Sequence, residues 1–311
     1  MRENQLSRYG AYGRTIVSGN GSQANQPLAP NAKYFFVGAV TLPSYADFQA
    51  EFGMDQDGQN RTFATVASCI ADGNVVAARG DIIYVLPGHT ENLTSAGSTA
   101  LSKSGISLIG LGNGNLRPIF TATAVAGSMT VTAANVLIQN VVFTFSIDAV
   151  TNLLNITGTD CRVDECDFRL SSATLCVVTG ITTAATADRL RIQNCRFLGV
   201  TTSSSGTTTT AAIKHEAGTD YVIEHNFIYG KMTQGIVNVA TVLGGFINNN
   251  VISVQTGTSA ITMAAASTPL ITNNRMNVAS GTAPVTAAAG FVAGNTYSAA
   301  PGVTAGVAVT F

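Results

Sequence analysis

A six-residue phrase recurs through the second half of the chain and restricts its fold more than any other feature. It reads Ile138-Gln-Asn140-Val141-Val142-Phe143, Val163-Asp164-Glu165-Cys166-Asp167-Phe168 and Ile192-Gln-Asn194-Cys195-Arg196-Phe197. It returns as Ile223-Glu224-His225-Asn226-Phe227-Ile228, Ile247-Asn-Asn249-Asn250-Val251-Ile252, Ile271-Thr-Asn273-Asn274-Arg275-Met276 and Val292-Ala-Gly294-Asn295-Thr296-Tyr297. Successive first positions lie 25, 29, 31, 24, 24 and 21 residues apart. Such uneven spacing argues against leucine-rich and helical repeats and fits a coil whose turns absorb insertions.

Positions one and six of the phrase are apolar, and position four is a small or amide residue. Two short strands meeting at a corner would bury all three, because an irregular residue between positions one and four resets the period-two alternation. Stacked in register, position four becomes one column: Val141, Cys166, Cys195, Asn226, Asn250, Asn274 and Asn295. Its four consecutive asparagines can form a buried amide ladder, each side chain donating to one neighbour and accepting from the other. The expected fold is therefore all-β, a right-handed parallel β-helix solenoid. Counting Tyr84 and Leu108 with the seven phrases gives about nine coils, or a rod of about 40 Å at ~4.8 Å per coil.

Three segments are expected. Residues 1–33 have no apolar period and read as an extended N-terminal arm, with Arg2, Arg8, Tyr9, Tyr12 and Arg14 as the anchors that would bind a partner. Residues 34–80 read as a cap region. It holds the strand-like run Tyr34-Phe-Phe-Val37, a short helix from Tyr45 to Phe52, and an amphipathic helix with Phe63, Val66, Ala67 and Ile70 at i, i+3, i+4 and i+7. An open solenoid end exposes core and unpaired strand, which a helix can cover. Residues 81–311 would form the β-helix, with a Thr/Ser-rich loop from Val200 to Thr210 and a last strand through Val307, Val309 and Phe311.

Only 11% of residues are charged, and the net charge is −1. An average soluble domain has roughly 25%, so nothing here attracts nucleic acid or an anionic membrane, and neither is expected as a partner. A surface of Thr, Ser, Asn, Ala and Gly suits a chain packed against other protein, and a homo-oligomer, three copies being the commonest arrangement, is expected. The N-terminus lacks the apolar core of a signal peptide, and no apolar run reaches the ~20 residues that span a bilayer. Cys69, Cys161, Cys166, Cys176 and Cys195 are odd in number and read as free thiols.

The densest acidic cluster is Asp160, Asp164, Glu165 and Asp167, flanked by Arg162 and Arg169. Carboxylates with a basic residue on one outer face can cleave glycans, but here the opposite charges can neutralise one another, which is the simpler reading. Asp220, Glu224, His215 and His225 form a second candidate, in which a solvated His225 is the simpler reading. The chain has no Trp, and its phenylalanines mostly fall at the core position of the repeat, leaving no exposed ring for a sugar face. Gly110-Leu-Gly112-Asn-Gly114-Asn115 lacks the third glycine of a phosphate loop and reads as a corner. Asp55-Gln-Asp57-Gly58 lacks the remaining ligands of a calcium loop, and Arg79-Gly80-Asp81 reads as a plain turn. No catalytic residue, metal or cofactor is expected.

With the phrase Gly80-Asp-Ile-Ile-Tyr-Val-Leu-Pro-Gly-His-Thr-Glu91, the repeat and the cap resemble right-handed β-helix virion proteins of the pectin-lyase-like superfamily encoded by tailed bacteriophages, over roughly residues 60–298. That scaffold serves as lyase, as glycan-cleaving tailspike and as non-catalytic virion component. The resemblance implies a structural phage protein that is not an enzyme. It would be a homotrimeric capsid decoration or cement protein, made in the host cytoplasm, placed on the exterior of the virion and held to the major capsid protein by its arm. The alternative it implies is a receptor-binding tailspike with glycan-cleaving activity.

Overall fold

The computed structural model of the chain describes residues 31–299, apart from 43–44, 56–57, 203, 256–258, 265–266, 279–283 and 287–290. The fold is an all-β parallel solenoid of about ten turns. Three parallel sheets of eleven, nine and eight strands run its length, and the chain visits them in rotation. Face I begins its coils with Ile82–Val85 and ends with Phe291–Ala293. Face II runs from Thr90–Leu93 to Thr296–Ala299, and face III from Ala96–Leu101 to Val285–Thr286. Tyr34–Val37 adds a layer below the first coil by pairing in parallel with Ile82–Val85.

The repeated phrase is the corner between faces I and II. Its first position lines the core from Ile138 through Val163, Ile192, Ile223, Ile247 and Ile271 to Val292. Its third position takes left-handed backbone in every coil: Asn140, Glu165, Asn194, His225, Asn249, Asn273 and Gly294 have φ between 53° and 63°. That single reversed residue turns the chain so that positions one, four and six all face inward. The conformation costs a side chain roughly 1–2 kcal/mol, less for Asn, and little for Gly, which accounts for the amides there.

Position six fills the opposite wall. Phe120, Phe143, Phe168 and Phe197 are fully buried and stacked, with ring centroids 5.8, 4.9 and 4.7 Å apart, and the last two rings are within 7° of parallel. Parallel in-register strands place like residues above one another, so a flat ring repeated at one position stacks without further design.

At the N-terminal end, helix α1 (Tyr45–Phe52) packs Tyr45, Phe48 and Phe52 against Phe36, Tyr84 and Leu86 in a separate apolar cluster. Helix α2 (Val66–Ala71) buries Val66, Cys69 and Ile70 in the solenoid core. It is shorter than the apolar period predicts. The Thr65 side chain accepts the Ser68 N–H at 3.1 Å and starts the helix there. Phe63 belongs instead to the strand Thr62–Phe63 beside Tyr34–Val37.

Candidate functional site

The structure places position four in one internal column. Asn226 Nδ2 donates to Asn250 Oδ1 at 3.0 Å, Asn250 Nδ2 to Asn274 Oδ1 at 2.9 Å, and Asn274 Nδ2 to Asn295 Oδ1 at 3.0 Å. Each of these Oδ1 atoms also accepts the backbone N–H of the coil before it, and Cys195 N–H donates to Asn226 Oδ1 at 2.9 Å. Cys166 and Cys195 continue the column, their Sγ atoms 3.8 and 3.7 Å from the carbonyls of Ile138 and Val163. This column is a scaffold element, buried from Cys166 to Asn274 and partly open at Asn295. Arg2, Arg8, Tyr9, Tyr12 and Arg14 lie outside the described residues, as do Val307, Val309 and Phe311.

The acidic cluster divides between two corners. Asp160 sits between faces III and I, paired with Arg189 at 2.6 Å. Its pKa is lowered, first by the hydrogen bonds from Arg189. Asp164, Glu165 and Asp167 share the corner between faces I and II. Asp164 accepts Arg162 at 2.8 Å and Asn194 Nδ2 at 2.9 Å. Asp167 Oδ2 is surrounded by three guanidinium groups, Arg117 at 3.0 Å, Arg169 at 3.7 Å and Arg196 at 3.9 Å. Arg117 also donates to the carbonyls of Glu165 and Val141.

The second candidate does not assemble. His215 points into the core from face III, with Nδ1 2.7 Å from Thr183 Oγ1, Nε2 3.1 Å from the Gly218 carbonyl and its ring against Tyr221. Burial lowers its pKa. His225 stands exposed at the corner between faces I and II, 3.8 Å from Glu224. Asp220 holds a left-handed position at the corner between faces III and I.

Two features escaped the sequence reading. One is internal: Glu91 pairs in register with Phe120 and so occupies the inward column of face II. It accepts the Val66 N–H at the start of α2 at 2.8 Å and the Thr99 hydroxyl at 2.8 Å, and faces His89 Nε2 at 3.3 Å. Burial alone would raise its pKa, but hydrogen bonds from His89, Val66 and Thr99 outweigh it and pull the carboxyl below its usual value. Asp81, the last residue of the Arg79-Gly80-Asp81 turn, is likewise fully buried and held by Arg79, Lys33 N–H and Val76 N–H.

The other feature is on the surface. The outward column of face II runs Asp167, Arg196, Phe227, Val251 and Arg275, and beside it run Arg169, Leu198, Tyr229, Ser253 and Asn277. The Phe227 and Tyr229 rings lie 6.3 Å apart and within 16° of parallel. On face I the outward column reads Arg162, Arg191, Val222, Phe246, Leu270 and Phe291. Phe227, Phe246 and Phe291 are 40%, 49% and 59% exposed. The core therefore does not take up all the phenylalanines, and rings do face solvent. Position five of the phrase mixes Asp, Arg, Phe and Val from coil to coil, which is the pattern of an outward column and was the available signal.

No family model and no curated protein matches the sequence. Among solved structures the chain is similar to the crystal structure of the Acinetobacter phage vB_ApiP_P1 tailspike protein, at 16% identity over 83% of this chain, with a TM-score of 0.38. The chain spans 64% of that tailspike's length, and the likeness is one of fold. The expectation that the chain is not an enzyme is corrected here. That expectation leaned on missing aromatics, and the exposed rings of Phe227, Phe246 and Phe291 remove that argument. The fold on which the resemblance rests, a parallel β-solenoid, is the fold of this chain.

Proposed function

We propose that the chain is a virion protein of a tailed bacteriophage that works as a receptor-binding spike, holding a bacterial surface glycan along face II. The observation that carries this reading is the exposed Phe227 ring with the half-buried Tyr229 ring nearly parallel to it, placed one strand spacing from Arg196 and Leu198 and followed by Val251 and Ser253. Flat rings take the apolar side of a sugar, and adjacent polar side chains hydrogen-bond its hydroxyls. Capsid decoration draws on residues 1–33, most of which lie outside the described residues, whereas the described surface supports the spike. The oligomer belongs to the same reading. Val222, Phe246, Leu270 and Phe291 make a column without charge over four coils of face I, suited to packing against a second copy in a parallel trimer.

The test is adsorption of the purified protein to host cells before and after removal of their surface polysaccharide. Binding should require the polysaccharide and fall by about tenfold or more in Phe227→Ala, the loss typical of a stacking anchor. Binding that ignores both changes would refute the reading. Measuring new chain ends in the same incubation tests for cleavage, and light scattering of the wild type against Phe246→Asp tests the oligomer.

A further inference from the structure

We infer that the guanidinium groups gathered over Asp167 form an oxyanion-binding site, and that the glycan held on face II is acidic. The inference rests on the glycan reading above and names the ligand class of the same strip. Its starting point is a local excess of positive charge in a chain with few charges. One carboxylate oxygen, Asp167 Oδ2, has three arginines around it. Arg117 lies at hydrogen-bonding distance, 3.0 Å, and is fixed from below by the carbonyls of Val141 and Glu165. Arg169 and Arg196, at 3.7 and 3.9 Å, are attracted but beyond hydrogen-bond reach, and their side chains are 50% and 57% exposed. Both half-exposed side chains stand on the face that carries Phe227 and Tyr229, Arg196 one strand spacing from Phe227 and Arg169 two from Tyr229.

A second, independent observation lies across the corner. Arg162 and Arg191 are register partners on adjacent strands of face I, where like charges directly opposite are destabilising. Arg162 reaches Asp164, but Arg191 is exposed and has no carboxylate partner among the described residues. Around this edge five arginines (117, 162, 169, 191 and 196) face three carboxylates (164, 165 and 167). A like-charge register pair on face I beside three guanidinium groups around one carboxylate on face II marks this edge as a place held for something else. Guanidinium forks on a rigid sheet suit a carboxylate or phosphate oxyanion, which they can bind bidentately. In this arrangement Asp167 acts as a positioning residue, keeping the arginines close enough to share one anion.

The test uses the full chain and four immobilised polysaccharides: hyaluronate (carboxylate), the same polymer after carboxyl reduction, phosphomannan (phosphate) and neutral dextran. Retention by at least one polyanion, weakening as salt rises, is the expected result, and the two polyanions separate carboxylate from phosphate as the group recognised. Arg169→Gln with Arg196→Gln should weaken it by about tenfold or more, with unchanged thermal melting because both side chains are on the surface. The Lys pair should fall between, keeping charge but losing the fork. Retention of hyaluronate that survives carboxyl reduction undiminished, or binding of neither polyanion, would overturn the inference. The glycan reading itself is judged separately by the host-cell adsorption of Phe227→Ala.

Discussion

Replacing Asn250 by leucine tests the internal amide column at its most connected point. The two side chains are close in volume, so the change removes hydrogen bonds without opening a large cavity. Asn250 Nδ2 donates to Asn274 Oδ1 and to the Ile223 carbonyl, both at 2.9 Å, and its Oδ1 accepts the Asn226 N–H and Nδ2, both at 3.0 Å. Leucine leaves the Asn226 N–H without an acceptor in a position 1% exposed, and strips one donor from the Ile223 carbonyl. At roughly 1–3 kcal/mol for each unsatisfied buried group, the expected loss is about 2–5 kcal/mol. Urea unfolding followed by circular dichroism measures it, and hydrogen exchange locates it, since the Asn226 amide should lose protection before amides at Phe143 or Phe168. A solenoid's stability is nearly a sum over neighbouring coils, so the loss should spread to the C-terminal coils first. A variant within about 0.5 kcal/mol of wild type, the ordinary range for surface substitutions, with Asn226 still protected, would refute the reasoning.

Phe168→Ala, between rings at 4.9 and 4.7 Å, should cost about 3–5 kcal/mol by thermal or denaturant melting, and Phe168→Leu distinctly less. Glu91 has a folded pKa below its ordinary 4.5, so its stabilisation is complete above that value and drains away as the pH falls through the folded pKa. Glu91→Gln should remove that part of the acid slope when urea midpoints are plotted against pH, and an unchanged slope would count against it. His215, its pKa lowered by burial below 6.5, makes the fold lose stability as pH falls below that value, because the unfolded chain takes up the proton first. His215→Gln should reduce this component. All five cysteines are free and buried, so a thiol reagent should titrate none in the native protein and five after unfolding.

The solenoid was legible because one corner repeats with a residue pattern that no other geometry satisfies: apolar, left-handed, small, apolar. What the pattern could not give was anything decided by register or by distant sequence. Phe227-Ile228-Tyr229 reads as a continuous apolar run, yet only Ile228 is inside, and that follows only after position six is aligned across coils. Glu91 was hidden for the opposite reason. Alternation assigns carboxylates to the outside, whereas this one is held inside by a helix terminus whose own start depends on the Thr65 and Ser68 side chains. Arg117 joins Asp167 from fifty positions earlier in the chain, with no local motif to announce it.

The left-handed corner also separates what can vary from what cannot. In the seven coils from Ile138 onward, the stretch from position one to position six never gains or loses a residue, although the interval from coil to coil ranges from 21 to 31. All of that variation falls beyond position six, in the remainder of face II, face III and the turns around it. The edge where faces I and II meet therefore behaves as a ruled scale, its outward side chains one division, ~4.8 Å, apart. A lineage can rewrite any mark on that scale by a single substitution, or graft loops onto the opposite side, and the spacing presented to a repeating polymer stays the same.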